Sequence, residues 1–139
     1  MIVVDTNLIA YLYLQGEHTA QAEKVLQKDS EWMAPSLWRS EFRSVLAFYL
    51  RQKDLSLDDA QAIMWEAELL LQGREYSVAS ARVLDIAAAS RCSAYDCEFV
   101  VLAQDLDVPL VTADKKVLAA FPETAVSMVA FISATGEPA

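Results

Sequence analysis

Short unbroken apolar runs alternate along this chain with longer stretches whose apolar residues recur at helical spacing. Met1-Ile2-Val3-Val4 runs into Asp5, so residues 1–5 read as a strand. Residues 7–14 and 18–28 carry the helical repeat and are split by Gly16 and its polar neighbours. Trp32-Met33-Ala34 is a short strand closed by Pro35, and a long helix is predicted from about 37 to 51. Ser56-Leu57-Asp58-Asp59 forms a capping box that opens a helix to about 71. Glu75-Tyr76-Ser77 is a further short strand, followed by helices at about 79–90 and 95–106. Residues 109–112 read as a strand that runs out into Asp114, 115–120 as a helix and 125–129 as a last strand. Strands separated by helices predict an α/β fold with a parallel sheet covered on both faces.

The chain has 139 residues, with no internal repeat, low-complexity segment or linker. Residues 1–132 are expected to form one domain, and 133–139, with Gly136 and Pro138, a frayed tail. No apolar stretch approaches the ~18–20 residues that span a bilayer. Asp5 interrupts the apolar start where a signal peptide would continue, which predicts a cytoplasmic protein without a membrane segment. Cys92 and Cys97 fit neither a C-x-x-C nor a zinc spacing and read as reduced, packed thiols.

The net charge is −9, from 20 acidic and 11 basic residues. That argues against a passive nucleic-acid binder, which gains affinity by neutralising phosphates. It leaves room for an enzyme that meets nucleic acid through bound metal. Setting four carboxylates aside as ligands leaves 16 acids against 11 bases. The remaining surface is still acidic and suits a basic protein partner.

Four acids draw the chemistry together. Asp5 and Asp114 each follow an apolar run. Either could serve only as a helix N-cap. If the two runs are neighbouring strands, both carboxylates meet at the carboxyl edge of the sheet, where open α/β folds hold ligands. Asp96 completes a Ser-x-x-Asp capping pattern with Ser93, yet lies on the helix side of Val100 and Ala103. At about 100° per residue, Leu37, Phe48, Val45, Trp38, Tyr49, Phe42 and Leu46 form one apolar arc, and Glu41 falls inside it. Arg39, Arg43, Ser40 and Ser44 fall opposite. A buried carboxylate needs a cation or a raised pKa, so Glu41 reads either as half of an ion pair with an arginine or as a metal ligand.

The only histidine, His18, sits at a polar approach to a helix and reads as a surface residue. Carboxylate-only ligation favours hard cations, Mg²⁺ or Mn²⁺. Three glycines cannot build a phosphate-cradling loop, and neither G-x-x-x-x-G-K-[ST], G-x-G-x-x-G nor G-x-S-x-G occurs.

With MIVVDTN, SEFRSVL and SAYDCEFVVLAQDLDVPLVTADKKV, the chain resembles the PIN-domain family, from Met1 to about Val129. Within it the chain looks most like the VapC-type toxins of toxin–antitoxin pairs. The resemblance implies a parallel sheet in an α/β/α sandwich. It implies a Mg²⁺- or Mn²⁺-dependent endoribonuclease cutting single-stranded or looped RNA. Asp5, Asp96 and Asp114 match aspartates that gather the metal, and Glu41 matches the helical glutamate that completes the acidic pocket. Thr6, Asn7 and Thr112 match supporting polar residues. A small antitoxin with a basic tail and a homodimer are implied as partners.

Cys97 stands where family members often carry a small residue such as alanine. Glu98, about 200° from Asp96 on a helix, is expected to point away from the pocket. Lys115, Lys116, Arg39 and Arg43 are candidate contacts to substrate phosphates, against the plainer reading of solvated helix faces. A housekeeping PIN nuclease is the nearest alternative. A Mg²⁺-dependent phosphoryl-transfer or receiver-like protein is another, but Asp5-Thr6-Asn7 lacks D-x-D-x-T and no strand-end lysine matches a receiver. A non-enzymatic module would be expected to have lost part of the acid set.

Overall fold

The computed structural model describes residues 1–134. Strand β1 (Ile2–Val4) leads into helices α1 (Thr6–Tyr13) and α2 (Thr19–Lys28), then strand β2 (Trp32–Pro35). Helices α3 (Trp38–Arg51) and α4 (Leu57–Leu70) precede the two-residue β3 (Glu75–Tyr76). Helices α5 (Ser80–Ala89) and α6 (Ala94–Leu106) lead to β4 (Leu110–Val111), α7 (Lys115–Ala120), β5 (Ala125–Val126) and α8 (Met128–Ser133).

All five strands run parallel, in the order β3-β2-β1-β4-β5. Val3 pairs with Leu110 and Val4 with Val111, so β1 and β4 are neighbours. The chain winds outward from β1 to β2 and β3, then crosses back to β4 and β5. Right-handed crossovers therefore put α1 to α4 on one face and α5 to α7 on the other. The packing agrees: α6 lies on β1, β2 and β4 with α5 against it, while α1 touches α2, α3 and α4. This is an α/β/α sandwich with its strand-order reversal between β1 and β4.

Burial on both faces explains why β1 and β2 read as unbroken apolar runs, with all their residues buried. Leu8 and Ile9 of α1, Trp38 and Phe42 of α3, and Val100 of α6 are fully enclosed beside them. Each such side chain contributes roughly 1.5–3 kcal/mol relative to exposure. The two large indoles also place their polar atoms: Trp32 donates to the Asp29 carbonyl at 3.0 Å and Trp38 to Glu75 at 2.7 Å.

Two expectations are corrected. Residues 125–129 are not one strand: β5 stops at Val126, and Ser127 caps α8 by accepting from the Ala130 amide at 3.1 Å. An apolar run alone cannot separate strand from helix, and the serine within it was the overlooked boundary. The apolar arc of α3 is also narrower than its sequence suggests, for Phe48 is 54% exposed. At the C-terminal end, α8 runs through Ser133, and Lys28 donates to the Ala134 carbonyl at 2.8 Å. The rest of the expected frayed tail, 135–139, lies outside the described residues. Among the described residues no helix is long and apolar enough to cross a membrane.

Candidate active site

Asp5 leaves β1 and Asp114 leaves β4, so the neighbouring strands deliver both carboxylates to one edge, at the strand-order reversal. Both also cap helices. Asp5 accepts from the Leu8 amide at 3.2 Å, and Asp114 accepts from the Lys116 amide at 2.8 Å and the Val117 amide at 3.3 Å. Capping and a site role coexist because each carboxylate has two oxygens and a cap occupies one.

Thr112 joins the two aspartates. It is buried, its hydroxyl donates to the second Asp5 oxygen, and its oxygen accepts the Asp114 amide at 3.0 Å. Glu41, in the first turn of α3, reaches the same edge, and the Thr6 hydroxyl donates to it at 2.6 Å. Asp96 sits in the first turn of α6, whose start is fixed by Ser93 accepting its amide at 3.0 Å. Together Asp5, Thr6, Asn7, Glu41, Asp96, Thr112 and Asp114 line one cleft of about 230 Å³. Its apolar walls include Val45 and Phe99. By sequence both look like ordinary core positions, although Val45 is one helical turn from Glu41 and Phe99 one turn from Asp96.

Among the described residues none of the four acids has a lysine or arginine ion-pair partner. The consequence is clearest at Asp5. Burial pushes its pKa from 3.8 up to about 6, and the Asp114 charge adds to the rise. The hydrogen bonds from Thr112, Leu8 and Ala113 pull the other way without cancelling it. A desolvated carboxylate beside further carboxylates is short of positive charge. Oxygen-only donors in a cleft too small for a large organic ligand fit a hard divalent cation. Among the described residues no three His, Cys, Asp or Glu side chains converge closely enough to hold one ion as they stand.

The basic candidates lie elsewhere. Arg39 is not at the cleft: its guanidinium makes two bonds to Glu75, at 2.7 and 2.8 Å, and one to Glu68 at 2.9 Å. Arg43 is exposed and does not line the cleft. Lys115 and Lys116 are exposed at the start of α7, and Lys116 borders a shallow depression with Arg91 outside the acidic cleft. His18 is exposed and packs at a tilt against Tyr11, with ring centroids 4.6 Å apart, and both cysteines are free and buried. Glu98 points away from the acidic cleft, into an adjoining one.

Comparison with known proteins gives the same outline. The family model for the PIN domain matches residues 2–124. Ribonuclease VapC3 of Pyrobaculum aerophilum is 27% identical over 124 residues, which span 87% of this chain and 95% of the relative. The crystal structure of PAE2754 from Pyrobaculum aerophilum superposes with a TM-score of 0.69 at 18% identity. That match covers 94% of this chain and 92% of the other, and at such identity the likeness is one of fold.

Proposed function

This chain belongs to the PIN-domain family, and from that membership we propose that it is a Mg²⁺- or Mn²⁺-dependent endoribonuclease acting on single-stranded or looped RNA. The observation that carries the proposal is the set of four carboxylates lining one cleft without a cationic partner among the described residues. Asp5, Glu41, Asp96 and Asp114 would hold the ion. When bound, a divalent ion supplies an activated water and neutralises charge that develops on a phosphate in the transition state.

The chain's own residues set up that chemistry. Thr112 fixes the Asp5 and Asp114 segments relative to each other, and Thr6 holds the Glu41 carboxylate. Such outer partners orient ligands and are worth about 10–100-fold in metal affinity or activity. Asn7, exposed at the rim, offers an amide to a phosphate or sugar oxygen. Lys115 and Lys116 lie just beyond Asp114 and can meet the backbone of a strand leaving the cleft.

The likeness to ribonuclease VapC3 favours a toxin over a housekeeping nuclease. On that reading the partner is a small antitoxin, whose basic tail is drawn by the −9 charge and the acidic cleft. The working form is a cytoplasmic homodimer. The test is cleavage of single-stranded RNA with Mn²⁺, with and without chelator, beside growth on induced expression. Cleavage and growth arrest are expected from the wild type with metal available, and neither from Asp5→Asn. Full cleavage in chelator would refute the metal dependence. Growth arrest by Asp5→Asn would refute the toxin reading.

A further inference from the structure

A second cleft lies beside the acidic one. Glu41 lies on α3 one turn after Leu37, and Asp96 lies on α6 two residues before Glu98. Glu41 and Asp96 face the acidic cleft, whereas Leu37 and Glu98 face a neighbouring cleft of about 420 Å³ at the carboxyl ends of β2 and β3. The sheet edge from β1 to β3 covers two strand spacings, about 10 Å. The two clefts therefore lie side by side along that edge, at the first turns of α3 and α6.

The second cleft has a different lining. Leu37 and Val78 are apolar, Tyr76 presents an aromatic ring, and Ser77 and Ser80 supply hydroxyls. Glu98 is the one charged group of its lining, and among the described residues it has no ion-pair partner. A phosphate would be repelled there, with no cation in the lining. A flat heteroaromatic ring with N–H donors on its edge suits every part of it: ring against Tyr76 and the aliphatic side chains, N–H groups toward the carboxylate.

We infer that this cleft is a nucleobase subsite of the substrate groove and that it selects guanine next to the scissile phosphate. Guanine carries two adjacent N–H donors on its Watson–Crick edge, which match the two oxygens of Glu98. Uracil offers the same carboxylate a single N–H flanked by two carbonyls and is disfavoured. This inference rests on the ribonuclease reading above.

The test is cleavage of short single-stranded RNAs that differ in one base at each position flanking the cut, with Mn²⁺. Wild type is expected to favour guanine over uracil at one fixed position by about tenfold or more, the discrimination of one good bidentate pair. Glu98→Gln is expected to reduce that ratio at least several-fold. Ser77→Tyr, which fills the cleft from an exposed position, is expected to reduce it without touching the helix that carries Asp96. Equal melting temperatures with Mn²⁺ would exclude misfolding as the cause. Cleavage with an unchanged base ratio in both variants would overturn the subsite alone, as it would if only a protein partner used the cleft. No cleavage of any RNA by wild type would overturn the nuclease reading, and the subsite with it.

Discussion

Arg39 and Glu41 lie two positions apart on helix α3 and meet opposite fates. Arg39 is matched by two carboxylates, and Glu75 in turn receives the Trp38 indole as well as Arg39. Glu41 receives one threonine hydroxyl and, among the described residues, no cation. Arg39 ties α3 and α4 to the edge strand β3. Glu41 joins Asp5, whose pKa rises to about 6 because burial is not offset by positive charge. A charge with its complement already built in holds the fold together. A charge left short of one is stable only if something arrives to supply it.

The sharpest way to break this contrast is Asp5→Asn. If the acidic cleft stabilises several kcal/mol of transition-state charge through its ion, RNA cleavage should fall about a thousandfold, at 1.4 kcal/mol per tenfold. The metal-free variant should nevertheless melt higher than wild type at pH 7. It removes a desolvated charge whose pKa shift corresponds to something approaching 3 kcal/mol, or several degrees for a chain of this size. Mn²⁺ should raise the melting temperature of wild type and not of the variant. A metal-free variant less stable than wild type would mean that the Asp5 carboxylate is already satisfied.

Thr112→Val probes how the unpaired side is kept in position. The variant deletes the hydroxyl that donates to Asp5 and accepts from Asp114, and it keeps the buried shape. Cleavage should fall roughly 10–100-fold at saturating RNA, with much of the loss recovered at high Mn²⁺. A loss that no metal concentration recovers would assign Thr112 a direct role on substrate.

How far this was legible in the sequence follows the same division. Asp5 and Asp114 could be read as a pair because each ends an apolar run, and parallel α/β connections bring such ends to one edge. Glu41 could be read because it breaks an apolar arc. The fate of Arg39 could not, since its partners Glu68 and Glu75 are 29 and 36 residues away and only the docking of α4 and β3 unites them. By sequence Arg39 therefore looks like a free basic residue open to substrate phosphates. Phe48 misled for the opposite reason: periodicity records which helix face is apolar, and the stripe carrying Glu41 and Val45 lines a cleft and then emerges at the surface.

The smallest expected effect separates the two sides of α3 by pH. Arg39 and the Trp38 indole hold the Glu75 pKa below its ordinary 4.5. The stability this adds is present above about 4.5 and is lost as pH falls toward the lowered value. Asp5 is shifted upward, so the neutral form is the favoured one in the fold. Its contribution is present below 3.8 and is lost as pH rises through about 6. The two windows overlap between 3.8 and 4.5, and there the metal-free protein should pass through a maximum in melting temperature. Arg39→Met should flatten only the acidic limb. The Arg39 side chain is 37% exposed and solvent screens the pair, so the cost should be about 1–2 kcal/mol at pH 7. Asp5→Asn should flatten only the limb near pH 6, and saturating Mn²⁺ should do the same by holding Asp5 ionised. Cleavage by Arg39→Met should stay within a few-fold of wild type at temperatures where it is folded. A selective loss of RNA affinity in that variant would return Arg39 to the substrate path and erase the contrast.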